Sequence, residues 1–314
     1  MAIHTAFTQD GSRFQARHHF TARTIGCRVP RTDHRGYVGA IFKHACLVLL
    51  EDGVIALLAP HVGQVAHGVR LAEDEPVHRW VWIGMPARIC GSGIVLGADV
   101  VAVTLSATRI WTPAVRVGMC QWNQSTFKAM TLVRNMLLDL APASNSEFLA
   151  ATLQAGRPVT LLGARLSAVL PSLARAARTY DREGALRFLR ELVGLGPGLT
   201  PAGDDFVIGW LAGLTLTAQS SAQRRFLAAI CTGVEALSCA TTPISRQHLT
   251  DSCALMFSEH LSDVCVAIAS GASPPTLKSR LAAQVAVGAT SGADAAAGLM
   301  FALLDCASSR PFSG

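Results

Sequence analysis

The sequence predicts an α+β chain, with a β-rich N-terminal domain followed by an all-helical C-terminal domain. Two observations carry this. From about residue 24 to 117 the apolar residues come in short β-branched runs cut by glycine and acidic turns, the pattern of strands. From Asn123 onward they recur at spacings of three and four, the period of amphipathic helices. The boundary falls between 120 and 145. The predicted order is a polar basic extension at 1–24, a β-rich domain at 25–120, a connecting helix and linker at 121–145, and a helical domain at 146–314.

The extension carries arginine and little acid. Six arginines and two aspartates lie in the first 35 residues, so +4 of the chain's net +6 sits there and about +2 is left for the rest. A folded part so nearly neutral is no nucleic-acid footprint. The extension also lacks the apolar core of a secretory signal. In the β-rich part, "ACLVLLEDGVIALLAP" holds two apolar runs split by Glu51-Asp52-Gly53, which reads as a hairpin. "GSGIVLGADVVAVTLSATRIWTP" supplies further strands. Lys43 and His44 are expected on the polar face of a short helix, and Trp111 as a core or interface anchor. The first helix runs through "NQSTFKAMTLVRNMLLDL". "APASNSEF" reads as a linker, and helices follow near 146–155, 163–178 and 181–193, the last capped by Asp181. Further helices are expected at 201–218, 223–238, 243–268, 275–286 and 292–304.

Half of the residues are hydrophobic and only 15% are charged. An average soluble chain has about 25% charged residues, so a large fraction should be buried. The longest apolar runs, at 206–218 and 293–304, fall short of the ~20 residues that span a bilayer. They are expected as core helices, and no membrane partner is expected. Nine cysteines without a CxxC pair read as buried, reduced thiols of a cytoplasmic protein rather than a zinc site. No Walker A, Rossmann glycine motif or GxSxG elbow is present, and no two histidines have HxxxH spacing.

The chemistry candidates sit at three small-residue turns that each feed a helix: "GLGPGLTPAGDD" at 194–205, "CATTPISRQ" at 239–247 and "GATSGADAAAG" at 288–298. Thr200-Pro201 and Thr242-Pro243 read as N-cap plus first helical residue. Ser291 with Asp294 reads as a capping box. A helix N-terminus offers unpaired N–H groups and the positive end of the dipole, a ready anion site. Gly196, Gly198 and Gly203 would let a ligand approach the backbone. The predicted anion-binding set is Gly196, Gly198, Thr200, Gly203, Thr242, Ser245, Thr290, Ser291 and Gly292. Asp204 and Asp205 pose a difficulty, because two carboxylates repel an anion. One is expected to act as a base or, with Asp294, to hold Mg²⁺ or Mn²⁺. The other would pair with the dipole or an arginine such as Arg246. Asp204 and Asp205 are thus the catalytic candidates, and Asp204, Asp205 and Asp294 the metal candidates, with no organic cofactor. Gly209, Gly213 and Gly298 read as sites of close helix packing.

"GLGPGLTPAGDDFVIGWLAGL", "TTPIS" and "GATSGADAAAGL", in that order, resemble the AllH family, linked to oxamate carbamoyltransferase. "GAIFKHACLVLLEDGVIALLAP" and "IWTPAV" are similar to its first half, so the resemblance spans about 25–305. Ala202 departs from the family, where a serine is expected in many relatives. The resemblance implies a subunit acting with other carbamoyltransferase subunits in allantoin-type nitrogen catabolism. It implies phosphorolysis of oxalurate to oxamate and carbamoyl phosphate, so a small anionic substrate. Two other readings stay open. One is a metal-dependent hydrolase loosely similar to ADP-ribosylglycohydrolases. The other is a non-catalytic scaffold subunit.

Overall fold

The computed structural model describes residues 6–7, 13–14, 16–98, 100–105, 109–141, 145–154 and 160–308. The chain divides into two compact units, residues 1–113 and 114–314. The first is β and the second helical, so the class is α+β. Much of the predicted 1–24 extension lies outside the described residues. A short antiparallel pair, β1 (Ala6–Phe7) and β2 (Arg13–Phe14), is described within it.

The first unit is an eight-stranded barrel. Its strands are β3 (His18–Gly26), β4 (His34–Phe42), β5 (Ala45–Leu50), β6 (Gly53–Leu58), β7 (Gly68–Leu71), β8 (Pro86–Cys90), β9 (Gly93–Leu96) and β10 (Val101–Thr104). The ring runs β3-β7-β6-β5-β4-β8-β9-β10 and closes by a parallel pairing of β10 on β3, with Val101 opposite His18. A ninth strand, β11 (Arg109–Trp111), continues along the same edge of β3. Closure leaves no free edge in the ring. The inward set alternates as the pleat requires: Cys46 and Val48, Ile55 and Leu57, Val69 and Leu71, Ile94 and Leu96, Val101 and Val103.

Two expectations change here. β3 begins at His18, so residues 18–24 are barrel rather than extension. Phe20 and Ala22 are buried while Thr21 and Arg23 are exposed, a strand alternation that the basic composition masked. Lys43 and His44 form no helix. They are the turn between β4 and β5, where Phe42 pairs with Ala45. The Glu51-Asp52 hairpin between β5 and β6 forms as predicted, with Leu50 opposite Gly53.

The second unit holds ten α-helices among its described residues: α1 (Gln124–Leu140), α2 (Glu147–Leu153), α3 (Leu161–Arg178), α4 (Arg182–Leu192), α5 (Ala202–Thr217), α6 (Ser221–Leu237), α7 (Pro243–Cys253), α8 (Glu259–Ala269), α9 (Pro274–Val285) and α10 (Ser291–Ser308). Side-chain caps start many of them. Asn123 accepts from Thr126 N–H, Asp181 from Gly184 N–H and Thr242 from Ser245 N–H. The predicted 243–268 helix is two helices. Leu255, at φ 62°, ends α7, and Met256 N–H closes onto Asp251 C=O at 2.8 Å. That is a left-handed C-terminal stop built without glycine. Among the described residues no helix is long and apolar enough to cross a membrane. Cys46, Cys120, Cys231, Cys253 and Cys265 are buried, and all nine thiols are free.

Helix α5 is the centre of this unit. Thirteen of its sixteen residues are buried, and it packs on α10 at backbone distance. A Cβ on Gly209 would stand 1.8 Å from Ala295 C=O, and one on Gly298 would stand 2.0 Å from Phe206 C=O. The close packing read from Gly209, Gly213 and Gly298 is therefore a mutual seating of α5 and α10. Phe206 fills the space beside it, with its ring 4.9 Å from Phe148 and 5.5 Å from Phe301. This seating brings the first turns of α5 and α10 side by side.

Candidate functional site

The loop 194–201 leaves α4 and enters α5 through three glycines at positive φ: Gly194 at 76°, Gly196 at 117° and Gly198 at 96°. Other residues rarely adopt these angles. The loop folds back on itself, with Leu195 C=O accepting from Gly203 N–H at 2.9 Å. Pro197, Gly198 and Leu199 at its tip are exposed. A Cβ on Gly198 would meet open space, whereas one on Gly203 would meet Leu192 C=O at 2.0 Å. Gly198 is thus the accessible glycine, and Gly203 seats α5 on the end of α4.

Two threonines were expected to cap helices; only Thr242 does so. α5 starts at Ala202 without a side-chain cap, because Thr200 points elsewhere. Its hydroxyl lies 3.0 Å from the Ser291 hydroxyl, joining the loop to the start of α10. The capping box expected from Ser291 and Asp294 does not form, because Ser291 is already the first helical residue. Thr290 C=O accepts from Asp294 N–H, and the Asp294 carboxylate accepts from Ser146 Oγ at 2.5 Å. On the other side, the Thr242 hydroxyl caps α7 and donates to Leu199 C=O at 2.6 Å. The starts of α5, α7 and α10 thus meet at one loop.

The two adjacent aspartates part company. Asp204 is fully buried and accepts from Gly194 N–H at 2.8 Å, Ser245 Oγ at 2.6 Å and the Thr241 hydroxyl. It is a brace between the loop and α7. Ser245, also fully buried, serves that brace. Asp205 turns to the opposite side, towards the hydroxyls of Ser291 and Thr200, with Asp294 and Asp204 near enough to repel its charge. It is 8% exposed, and its Oδ2 has no hydrogen-bond partner among the described residues. Burial is the main cause that pushes its carboxyl up to about 8, with the two hydroxyls opposing. Burial thus favours the protonated form of Asp205. Burial likewise raises Asp294 to about 6, opposed by Ser146 and Thr290.

The arginine expected to answer these carboxylates does not. Arg246 donates to Ser238 and Cys239 carbonyls at 3.2 Å each. The metal candidates are not gathered either. Among the described residues no group of three or more His, Cys, Asp or Glu side chains is arranged to hold an ion. Asp204 is occupied by its three donors, which leaves Asp205, whose ionised form Asp294 opposes. Gly292 is a packing residue, since a Cβ there would stand 1.9 Å from Gln284 C=O. Sequence reasoning missed Ser146, Thr241 and Gln284. The Gln284 amide donates to Gly292 C=O at 2.9 Å, bracing the first turn of α10. Ser146 had a signal, because a serine before Glu147 in "NSEF" is an N-cap pattern.

The structure thus gathers a glycine loop, the Thr200 and Ser291 hydroxyls and the buried Asp205 carboxyl at the uncapped start of α5. Residues 192–303 match the family model described as AllH, the oxamate carbamoyltransferase subunit AllH. The match runs from the end of α4 into α10 and holds every site residue above except Ser146. No curated protein and no solved structure matches the chain.

Proposed function

We propose that the chain is an AllH-type subunit of a carbamoyltransferase. It binds a small anion where loop 194–201 meets the starts of α5 and α10, and it works with partner subunits. The observation that carries this reading is Asp205, a buried carboxyl pushed up to about 8 beside the Thr200 and Ser291 hydroxyls. A neutral acid removes the repulsion that an aspartate pair would exert on an anion. Asp204 is taken up by its three donors, on the side away from Thr200 and Ser291.

The reaction is the phosphorolysis of an oxalurate-type ureide, or its reverse. A phosphate oxygen attacks the carbamoyl carbon, the C–N bond to oxamate breaks, and the departing nitrogen takes a proton. Asp205 holds that proton at neutral pH and passes it through the Ser291 or Thr200 hydroxyl. The ionised carboxylate then recovers a proton from the attacking hydrogen phosphate or from solvent. Loop N–H groups at 196–200 and the Thr200 and Ser291 hydroxyls hold the anion and the developing oxyanion. Thr290 and Thr242 hold the two flanking helix starts in place. The cytoplasm, and a pathway of ureide nitrogen breakdown, fit this chemistry.

Calorimetry with carbamoyl phosphate, oxamate and phosphate, on the chain alone and with its partner subunits, tests the reading. Binding that disappears in Thr200→Val and Ser291→Ala supports it. Absence of binding in both preparations would overturn it and leave a scaffold subunit.

A further inference from the structure

We propose that the barrel unit carries a second ligand site, a cleft at one end of the barrel that takes a small phosphorylated molecule with an apolar body. The cleft has a volume of about 380 Å³, within the range of small-molecule pockets and too small for a nucleic-acid duplex. It lies where three connections meet: the Lys43-His44 turn, His61 after β6, and residues 74–79 after β7. The turn is fixed in place, because His44 C=O accepts from Ala59 N–H at 2.9 Å.

The basic side chains of the cleft are left without partners of their own. Among the described residues Lys43, His44, His78 and Arg79 make no ion pair or side-chain hydrogen bond. The two carboxylates of the lining are engaged by other neighbours. Asp74 lies 3.8 Å from His61 Nδ1, and Glu75 accepts from the Trp80 indole N–H at 3.2 Å. The His44 ring stands edge-on to His61 with centroids 4.5 Å apart. Desolvation, then His61, Lys43 and His78, hold the His44 imidazole below its usual range, against a smaller opposing pull from Asp74. Four basic side chains from two of these connections thus line the cleft without an ion-pair partner among the described residues. Ammonium, guanidinium and imidazole groups approaching from two connections suit a dianion better than a single carboxylate. Below them the wall is apolar, formed by Cys46, Leu57, Leu71 and Val77, all buried. A ligand that fills the cleft thus needs a charged head and an apolar body.

The test titrates the full chain with inorganic phosphate and with phenyl phosphate near pH 6, following the imidazole resonances of His44 and His78 by NMR. His44→Gln and His78→Gln supply the assignments. Both probes should move both resonances and raise the His44 titration midpoint by about one pH unit. Phenyl phosphate should bind about tenfold tighter than phosphate, because its ring covers the apolar wall. The double variant Lys43→Ala/Arg79→Ala should lose the response, and Asp205→Asn should keep it. The proposal is overturned if neither phosphate moves His44, or if the double variant responds like the parent. Equal affinity for the two probes would remove the apolar body from the assignment.

Discussion

Ser245 Oγ on α7 donates to the Asp204 carboxylate on α5 across 2.6 Å, in a place where both residues are fully sealed from solvent. The same carboxylate takes Gly194 N–H and the Thr241 hydroxyl. One side chain therefore ties the beginning of the glycine loop, the first turn of α5 and the start of α7. Each bond to a charged group contributes about 1.5–3 kcal/mol, and losing the acceptor leaves three donors unpaired. Asp204→Ala is expected to cost about 3 kcal/mol or more. In a unit of this size that lowers Tm by about 6–12 °C. Asp204→Asn should cost less but still destabilise, since an amide accepts at only one of its two positions. A calorimetric melt with no loss in either variant would remove the bracing role.

Asp205 predicts the opposite kind of behaviour. Its folded carboxyl is pushed from the usual 3.8 up to about 8, so the folded chain keeps a proton that the unfolded chain releases. The stability this proton provides is fully present below about pH 4 and is lost as pH rises through 8, at up to about 1.4 kcal/mol per pH unit. Asp205→Asn cannot ionise, so the variant should gain on the parent steadily between pH 5 and 8. Denaturant midpoints for both proteins across that range measure the difference, and a flat difference would mean that the acid is not held neutral. Anion affinity should fall in parallel above pH 8, as the ionised carboxylate begins to repel the ligand.

A cation was one way for the sequence to reconcile two aspartates with an anion. Asp204 is taken up by three hydrogen bonds, and among the described residues no three acidic, His or Cys side chains are gathered around an ion position. Binding of carbamoyl phosphate should therefore be unchanged, within about twofold, by EDTA or by added Mg²⁺. Isothermal titration under both conditions decides the point. A tenfold loss on chelation, restored by Mg²⁺ and absent in Asp294→Asn, would return the ion to Asp205 and Asp294.

Local chemistry explains what was readable in advance. Asp181 and Thr242 could be seen as caps because the groups they satisfy are three residues away. The loop at 194–201 stood out because three left-handed positions in five residues require glycine. The glycines of α5 and α10 showed a close approach, though not that each helix would seat on the other. What could not be read depends on distance or lacks a local mark. Asp204 meets Thr241 and Ser245 from 37 and 41 residues away. Nothing in "GDD" tells which aspartate turns to α7 and which to α10. Leu255 stops α7 with no glycine to announce it, and the Lys43-His44 turn carries neither glycine nor asparagine. The barrel closes through β3 and β10, some 80 residues apart, by a pairing that no short window contains.

The glycines themselves separate packing from ligand access. Gly209→Ala would force a methyl to within 1.8 Å of Ala295 C=O, and Gly298→Ala to within 2.0 Å of Phe206 C=O. Backbone cannot yield as a flexible side chain does, so α5 and α10 must move apart, at a cost of about 3 kcal/mol or more. Because that seating aligns Thr200 with Ser291, either variant should weaken anion binding as well as stability. Gly198→Ala meets no atom within 4 Å and carries only the strain of φ 96°, about 1–2 kcal/mol. It should lose anion affinity through the altered loop while melting within a few degrees of the parent. The decisive comparison is the ratio of lost affinity to lost stability across the three variants. A Gly198→Ala protein that binds normally would move the anion away from the loop tip, and a Gly209→Ala protein that melts normally would contradict the contact between α5 and α10.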